Sequence, residues 1–148
     1  MTLRKSLLVL IFALTSCDRN QITSGDHLSE SDIDRIQKLG LLDKGEVIYE
    51  FYSESKNSVA GNFFTDRRIA MYWIDERDKA KDQVSFSLYQ DIQSIDTVYN
   101  AGITYCPFML VTKKDNSTFK VCADGKRQEI KAFFEGAINK WTQSKNKK

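Results

Sequence analysis

Val59-Ala60-Gly61-Asn62-Phe63-Phe64-Thr65-Asp66-Arg67-Arg68-Ile69-Ala70-Met71-Tyr72-Trp73-Ile74-Asp75 is the stretch on which the fold turns. Aromatic and aliphatic side chains that suit a pleated, packed surface fill it, and polar Asp66-Arg67 interrupts them once. Val59–Thr65 and Arg68–Asp75 therefore read as two strands joined tightly around that pair. Upstream, Glu46–Ser53 sets Val47, Tyr49 and Phe51 against Ile48, Glu50 and Tyr52, the alternation of another strand. Downstream, Val84–Gln90 alternates Val84, Phe86 and Leu88 with serines and Tyr89. Ile92, Ile95, Val98 and Tyr99 mark a fifth strand, whose uneven apolar spacing predicts a bulge. Thr104–Lys113 and Ser117–Ala123, joined by Lys114-Asp115-Asn116, make the sixth and seventh.

Helical periods flank this β region. Ile130, Phe133, Phe134, Ala137, Ile138 and Trp141 recur at helical spacing after the breaker Asp124-Gly125. They predict an amphipathic C-terminal helix whose apolar face covers the open end of the sheet. Before the strands, Ser29–Leu39 fits a short helix with Ser29 as its cap, a narrow stripe of Ile33, Ile36 and Leu39, and Gly40 as its left-handed stop. Polar Asp18–Leu28 reads as a tether.

Gly61-Asn62-Phe63-Phe64-Thr65-Asp66-Arg67-Arg68-Ile69-Ala70, then Tyr72-Trp73-Ile74-Asp75, then Tyr89-Gln90-Asp91-Ile92-Gln93-Ser94-Ile95-Asp96 together resemble the pattern of bacterial pleckstrin-homology-like (PH-like) domains. The resemblance covers about Glu46–Trp141. It implies a mainly β fold, a seven-stranded antiparallel barrel or sandwich capped by one C-terminal helix. Phosphoinositide recognition, known in eukaryotic members of that superfold, uses several basic residues around the loop between the first two strands. Here Glu54-Ser55-Lys56-Asn57-Ser58 offers one lysine beside a glutamate, which does not suit a polyphosphate headgroup. Arg67 and Arg68 are the candidates for exposed binding cations.

At the N-terminus, Arg4 and Lys5 precede an unbroken apolar run, Leu7–Leu14, and then small residues. That is the layout of a removable signal peptide over 1–16, and it is too short for a membrane-spanning helix. Leu14-Thr15-Ser16-Cys17 resembles the lipobox of bacterial lipoproteins. The resemblance implies acylation of Cys17 and anchoring to the bacterial cell membrane, facing the periplasm. Asp18 resembles the signal that retains such proteins at the inner membrane. Residues 17–45 then carry the lipidated cysteine, tether and short helix, 46–142 the PH-like domain, and 143–148 a basic tail.

Composition narrows function further. With Arg4 and Lys5 removed, the remaining chain holds 20 basic and 20 acidic residues, so nucleic-acid binding has no net basic face to rest on. Lys140, Lys145, Lys147 and Lys148 read as a solvated tail. His27 is the single histidine and lies in the expected tether, so no Ser-His-Asp arrangement is available. Asp75, Glu76, Asp78 and Asp82 alternate with Arg77, Lys79 and Lys81, as in a solvated turn rather than a calcium loop. With Cys17 acylated, Cys106 and Cys122 remain as an even pair. A turn centred near Lys114 sets them opposite one another, and a cross-strand disulfide is expected there, two small buried thiols being the alternative.

These readings predict no metal, no cofactor and no catalysis. The leading expectation is a membrane-anchored, non-enzymatic module that binds a protein or peptide. The rival is a carrier of a lipid or small apolar molecule in an aromatic-lined pocket. A large apolar cavity would favour the carrier; a filled core with an open strand edge would favour the interaction module.

Overall fold

Ser29 starts the first helix as its sequence predicts. Its Oγ accepts from the Asp32 N–H while Asp32 Oδ2 accepts from the Ser29 N–H, a reciprocal capping box. The helix, α1, spans Glu30–Lys38, and Gly40 ends it with φ at +73°. The computed structural model of the chain describes residues 21–103 and 105–146. The expected leader, Cys17, Asp18, Lys147 and Lys148 lie outside them.

The strands are β1 (Thr23–Ser24), β2 (Ile48–Tyr52), β3 (Ala60–Thr65), β4 (Arg68–Trp73), β5 (Gln83–Leu88), β6 (Ile92–Val98), β7 (Phe108–Lys113) and β8 (Thr118–Cys122). The final helix, α2, spans Arg127–Lys145. The fold is thus mainly β with one C-terminal helix. All seven expected strands are present as β2–β8, and the irregularity expected in the fifth is a register shift between Ile92 and Ser94.

The strands form two antiparallel sheets, ordered β1-β2-β3-β4-β5 and β6-β7-β8, and they do not close into a barrel. At Tyr89–Asp91 a 3₁₀ turn carries the chain from one sheet to the other, and β5 and β8, the last strands of their sheets, stay unpaired. Tyr89 turns inward there, 4 % exposed, and its hydroxyl donates to the Thr65 carbonyl at 2.6 Å.

The larger sheet is covered on both faces. Phe64 and Ile69 face β7, β8 and α2, while their neighbours Phe63 and Ala70 face α1 with Ile36, Leu41 and Leu42. Every residue of β3 is consequently buried. The short N-terminal helix therefore forms a layer packed on this face of the sheet. The described part of the expected tether is docked as well: Thr23 and Ser24 pair with Phe51 and Glu50.

On the opposite side, Phe133 and Phe134 of α2 are fully buried, and Phe133 meets Phe64 edge-on with ring centroids 5.5 Å apart. Gly136 permits that approach, since a Cβ there would lie 2.9 Å from the Phe64 ring. A polar contact ties the two sheets: the Cys122 N–H donates to Oδ1 of buried Asn62 at 2.9 Å.

Candidate functional site

Two adjacent arginines, equal in sequence, have opposite fates. Arg67 is half-exposed and pairs loosely with Asp66 at 3.8 Å. Arg68 is 3 % exposed, so it is buried where an exposed cation was expected. Its Nε donates to Glu46 Oε1 at 2.9 Å and its Nη2 meets Glu46 Oε2 at 2.8 Å, a forked pair. Asp43 Oδ2 takes Nη2 as well, and the Thr65 hydroxyl donates to Glu46 Oε1. The guanidinium also lies 4.9 Å from the centre of the Phe86 ring. The correction has a physical reason: strand alternation at the turn sends this side chain inward, where acids before β2 neutralise it.

The acidic loop is built from its own backbone contacts. Asp75 Oδ1 accepts from the N–H groups of Arg77 and Asp78, Asp82 Oδ1 accepts from Asp75, and Asp78 Oδ1 accepts from Ala80. His27 is exposed, with its Nδ1 3.1 Å from the Thr23 hydroxyl. In the loop after β2, the Tyr72 hydroxyl donates to the Asn57 carbonyl. Burial pushes the hydroxyls of Tyr52 (to about 12), Tyr72 and Tyr89 upward, so all three stay protonated.

Cys106 and Cys122 lie at disulfide distance, with Cα atoms 5.9 Å apart. Their register differs from the one the turn suggested. Asn116 adopts φ of +65°, which centres the loop on Asp115 rather than Lys114. Phe108 therefore stands opposite Cys122, and Cys106 reaches across from just before β7.

Beside this pair runs a slot of about 720 Å³ between β5 and β8. Gln83, Ser85, Thr118 and Lys120 line it together with Met71 and Trp73. A second hollow continues along β5 past Phe86 towards Lys113 and Lys114. Ser85 and Ser87 are cross-strand partners of Met71 and Ile69 and share their face of the sheet. These small side chains leave open the space between the sheets that larger residues would fill.

Hydrogen-bond phase gives this slot its chemistry. The Tyr89 N–H donates to the Arg67 carbonyl, so Gln83, Ser85 and Ser87 bond to β4. Residues in an antiparallel ladder alternate, and the backbone groups of Val84 and Phe86 therefore point away from β4. On β8, Lys113 N–H to Ser117 and Ala123 N–H to Pro107 fix the other phase. Thr118, Lys120 and Cys122 point outward, and Asn62 takes only the Cys122 N–H. Both β5 and β8 end their sheets. Two strand edges thus present backbone donors and acceptors to one slot.

Side chains frame these edges. Val84 and Phe86 are 40 % and 37 % exposed. Lys120 Nζ lies 4.8 Å and 4.5 Å from the centres of the Tyr105 and Phe108 rings, which hold it at the mouth. Glu54 stands at the end of the slot near the cysteines, and burial pushes its carboxyl above the usual range.

Comparison with protein families, with characterised proteins and with solved structures finds no match to this chain. The site therefore rests on its own geometry. Of the residues singled out by sequence, the structure brings Cys106 and Cys122 to the slot and leaves Arg67 on the surface and Arg68 in the core. It adds Val84, Ser85, Phe86, Tyr105, Thr118 and Lys120. The repeated serines of Val84-Ser85-Phe86-Ser87 were the available signal, since they put polar residues on a face that elsewhere packs against the second sheet.

Proposed function

We propose that the chain is a lipid-anchored, extracytoplasmic PH-like module that captures an extended peptide segment by strand addition between β5 and β8. The observation carrying this is the pair of facing strand edges, whose outward backbone groups meet an open slot. An extended chain entering it gains main-chain hydrogen bonds, while exposed Val84 and Phe86 offer apolar contact beside them. The PH-like assignment draws on the quoted sequence resemblance and on the arrangement of β2–β5 and β6–β8 with α2. The anchor draws on Leu14-Thr15-Ser16-Cys17, with Asp18 favouring the inner membrane. The module acts by binding rather than by catalysis. The carrier reading is weaker, because Phe64, Phe133 and Phe134 occupy the interior where an apolar ligand would sit.

The test uses the full-length protein in its own membrane. A photo-crosslinking residue at Ser85 should give a partner adduct, and the same residue at exposed Glu30 on α1 should not. Val84→Pro removes an outward N–H and leaves the β4 ladder bonded, a position where an edge strand tolerates proline. It should abolish the adduct without changing the far-UV spectrum. Adducts at Ser85 that persist undiminished in folded Val84→Pro would refute strand addition.

A further inference from the structure

Asn62, Met71 and Ser85 stand opposite one another across β3, β4 and β5, in a row that runs to the free edge of the larger sheet. Met71 packs against the core between the sheets, and residues directly opposite share a face. The row therefore looks toward the smaller sheet, and β8 meets its start, where the Cys122 N–H donates to Asn62. Tyr72 and Ala70, the partners of Val84 and Phe86, belong instead to the cluster beneath α1. A strand added to β5 prolongs each row by one residue. Its residue opposite Ser85 turns into the slot, and its neighbours opposite Val84 and Phe86 turn to the other face.

The two faces offer different chemistry. In the slot, Lys120 is the one cation among the lining residues. Its ammonium rests against the Tyr105 and Phe108 rings and makes no ion pair among the described residues. The two acids of the lining do not neutralise it: Glu54 lies with the cysteines, and Asp82 Oδ1 accepts from the Asp75 N–H. Ser85 and Thr118 in the same lining are small, which leaves room for an incoming side chain to reach the ammonium. On the other face, part-exposed Val84 and Phe86 offer apolar surface and no charge.

We propose that the captured segment carries an aspartate or glutamate opposite Ser85, between two apolar residues that lie against Val84 and Phe86. This rests on strand addition at β5 and names the sequence it selects. The carboxylate pairs with Lys120 as the strand covers the slot. The charge also sets register, since a slip of one residue would turn apolar side chains toward Lys120 and carry the acid to the apolar face.

The test uses the full-length protein in detergent and short fluorescent peptides, threonine throughout except for a central valine–X–valine, with X glutamate, glutamine or lysine. Fluorescence anisotropy should show the glutamate peptide binding about fivefold more tightly than the glutamine peptide, the scale of a partly exposed ion pair, with the lysine peptide weakest. Lys120→Gln should bring the glutamate and glutamine peptides level, and Lys120→Glu should make the lysine peptide the tightest. Val84→Pro should abolish binding of all of them. Equal affinity of the glutamate and glutamine peptides for the parent protein, still lost in Val84→Pro, overturns the acidic preference and leaves strand addition standing. A glutamate preference undiminished in Lys120→Gln likewise overturns the pairing with Lys120. Failure of every peptide to bind, or binding that folded Val84→Pro retains, overturns strand addition and this inference with it.

Discussion

Replacing Arg68 with methionine isolates the strongest polar feature of the core. Arg68 and Glu46 side chains are 4 % and 0 % exposed, and they meet through two forked contacts of 2.9 Å and 2.8 Å. Arg68→Met strips Glu46 of both and leaves a buried carboxylate with the Thr65 hydroxyl and the Asp43 N–H. Breaking one side of a buried pair costs about 3–5 kcal/mol. A domain of this size holds only about 5–15 kcal/mol in all, so the variant should lose a large part of its stability. Arg68→Met with Glu46→Leu should be milder than Arg68→Met alone, because no charge is then stranded. Asp43 also loses its partner, but it is 61 % exposed and water takes over. Arg67→Ala, at the half-exposed neighbour, should change stability by about 0.5 kcal/mol or less. The assay is urea unfolding of the chain from Gln21, followed by fluorescence of Trp73 and Trp141. An Arg68→Met midpoint equal to wild type, or strictly additive losses in the double variant, would sink the argument.

Phe134 sits fully buried between Phe133 and Tyr99; Phe134→Ala should cost about 4 kcal/mol in the same urea assay. Deleting residues 145–148 should cost under about 1 kcal/mol, the scale of the lost Lys145 contact with the Trp141 ring. Cys17→Ser should leave an unprocessed precursor that a fatty-acid probe no longer labels; persistent labelling would remove the proposed anchor.

Much of the fold is written locally. The spacing of Ile130, Phe133, Phe134 and Ala137 exposes α2, Ser29 and Gly40 bracket α1, and alternation finds β2–β8. The failures share a cause, which is that distant residues decide them. β1 is two polar residues long and exists only because Phe51 and Glu50 offer partners. The role of α1 follows from Phe63-Phe64 and Ile69-Ala70, adjacent apolar pairs that each put one member on either face; alternation alone does not reveal the second cover. Arg68 reads as a surface cation because its partner Glu46 lies 22 residues away. That Cys106 and Cys122 come to disulfide distance was legible while their register was not, since one left-handed residue, Asn116, moved the turn centre by one position. The slot was the hardest part to see. It depends on hydrogen-bond phase along two strands that never pair with each other.

The strand order carries a further consequence for a protein anchored through Cys17 as proposed. Six residue steps separate Cys17 from Thr23, a leash of about 20 Å at full stretch. It fastens to β1, at one margin of the five-stranded sheet, while β5 forms the other margin. Four strand spacings put roughly 19 Å between those margins. The domain would hang from the bilayer by one edge, with its receptive edge pointing outward. On that proposal, a leash so short would turn a point of attachment into an orientation, holding the slot away from the bilayer.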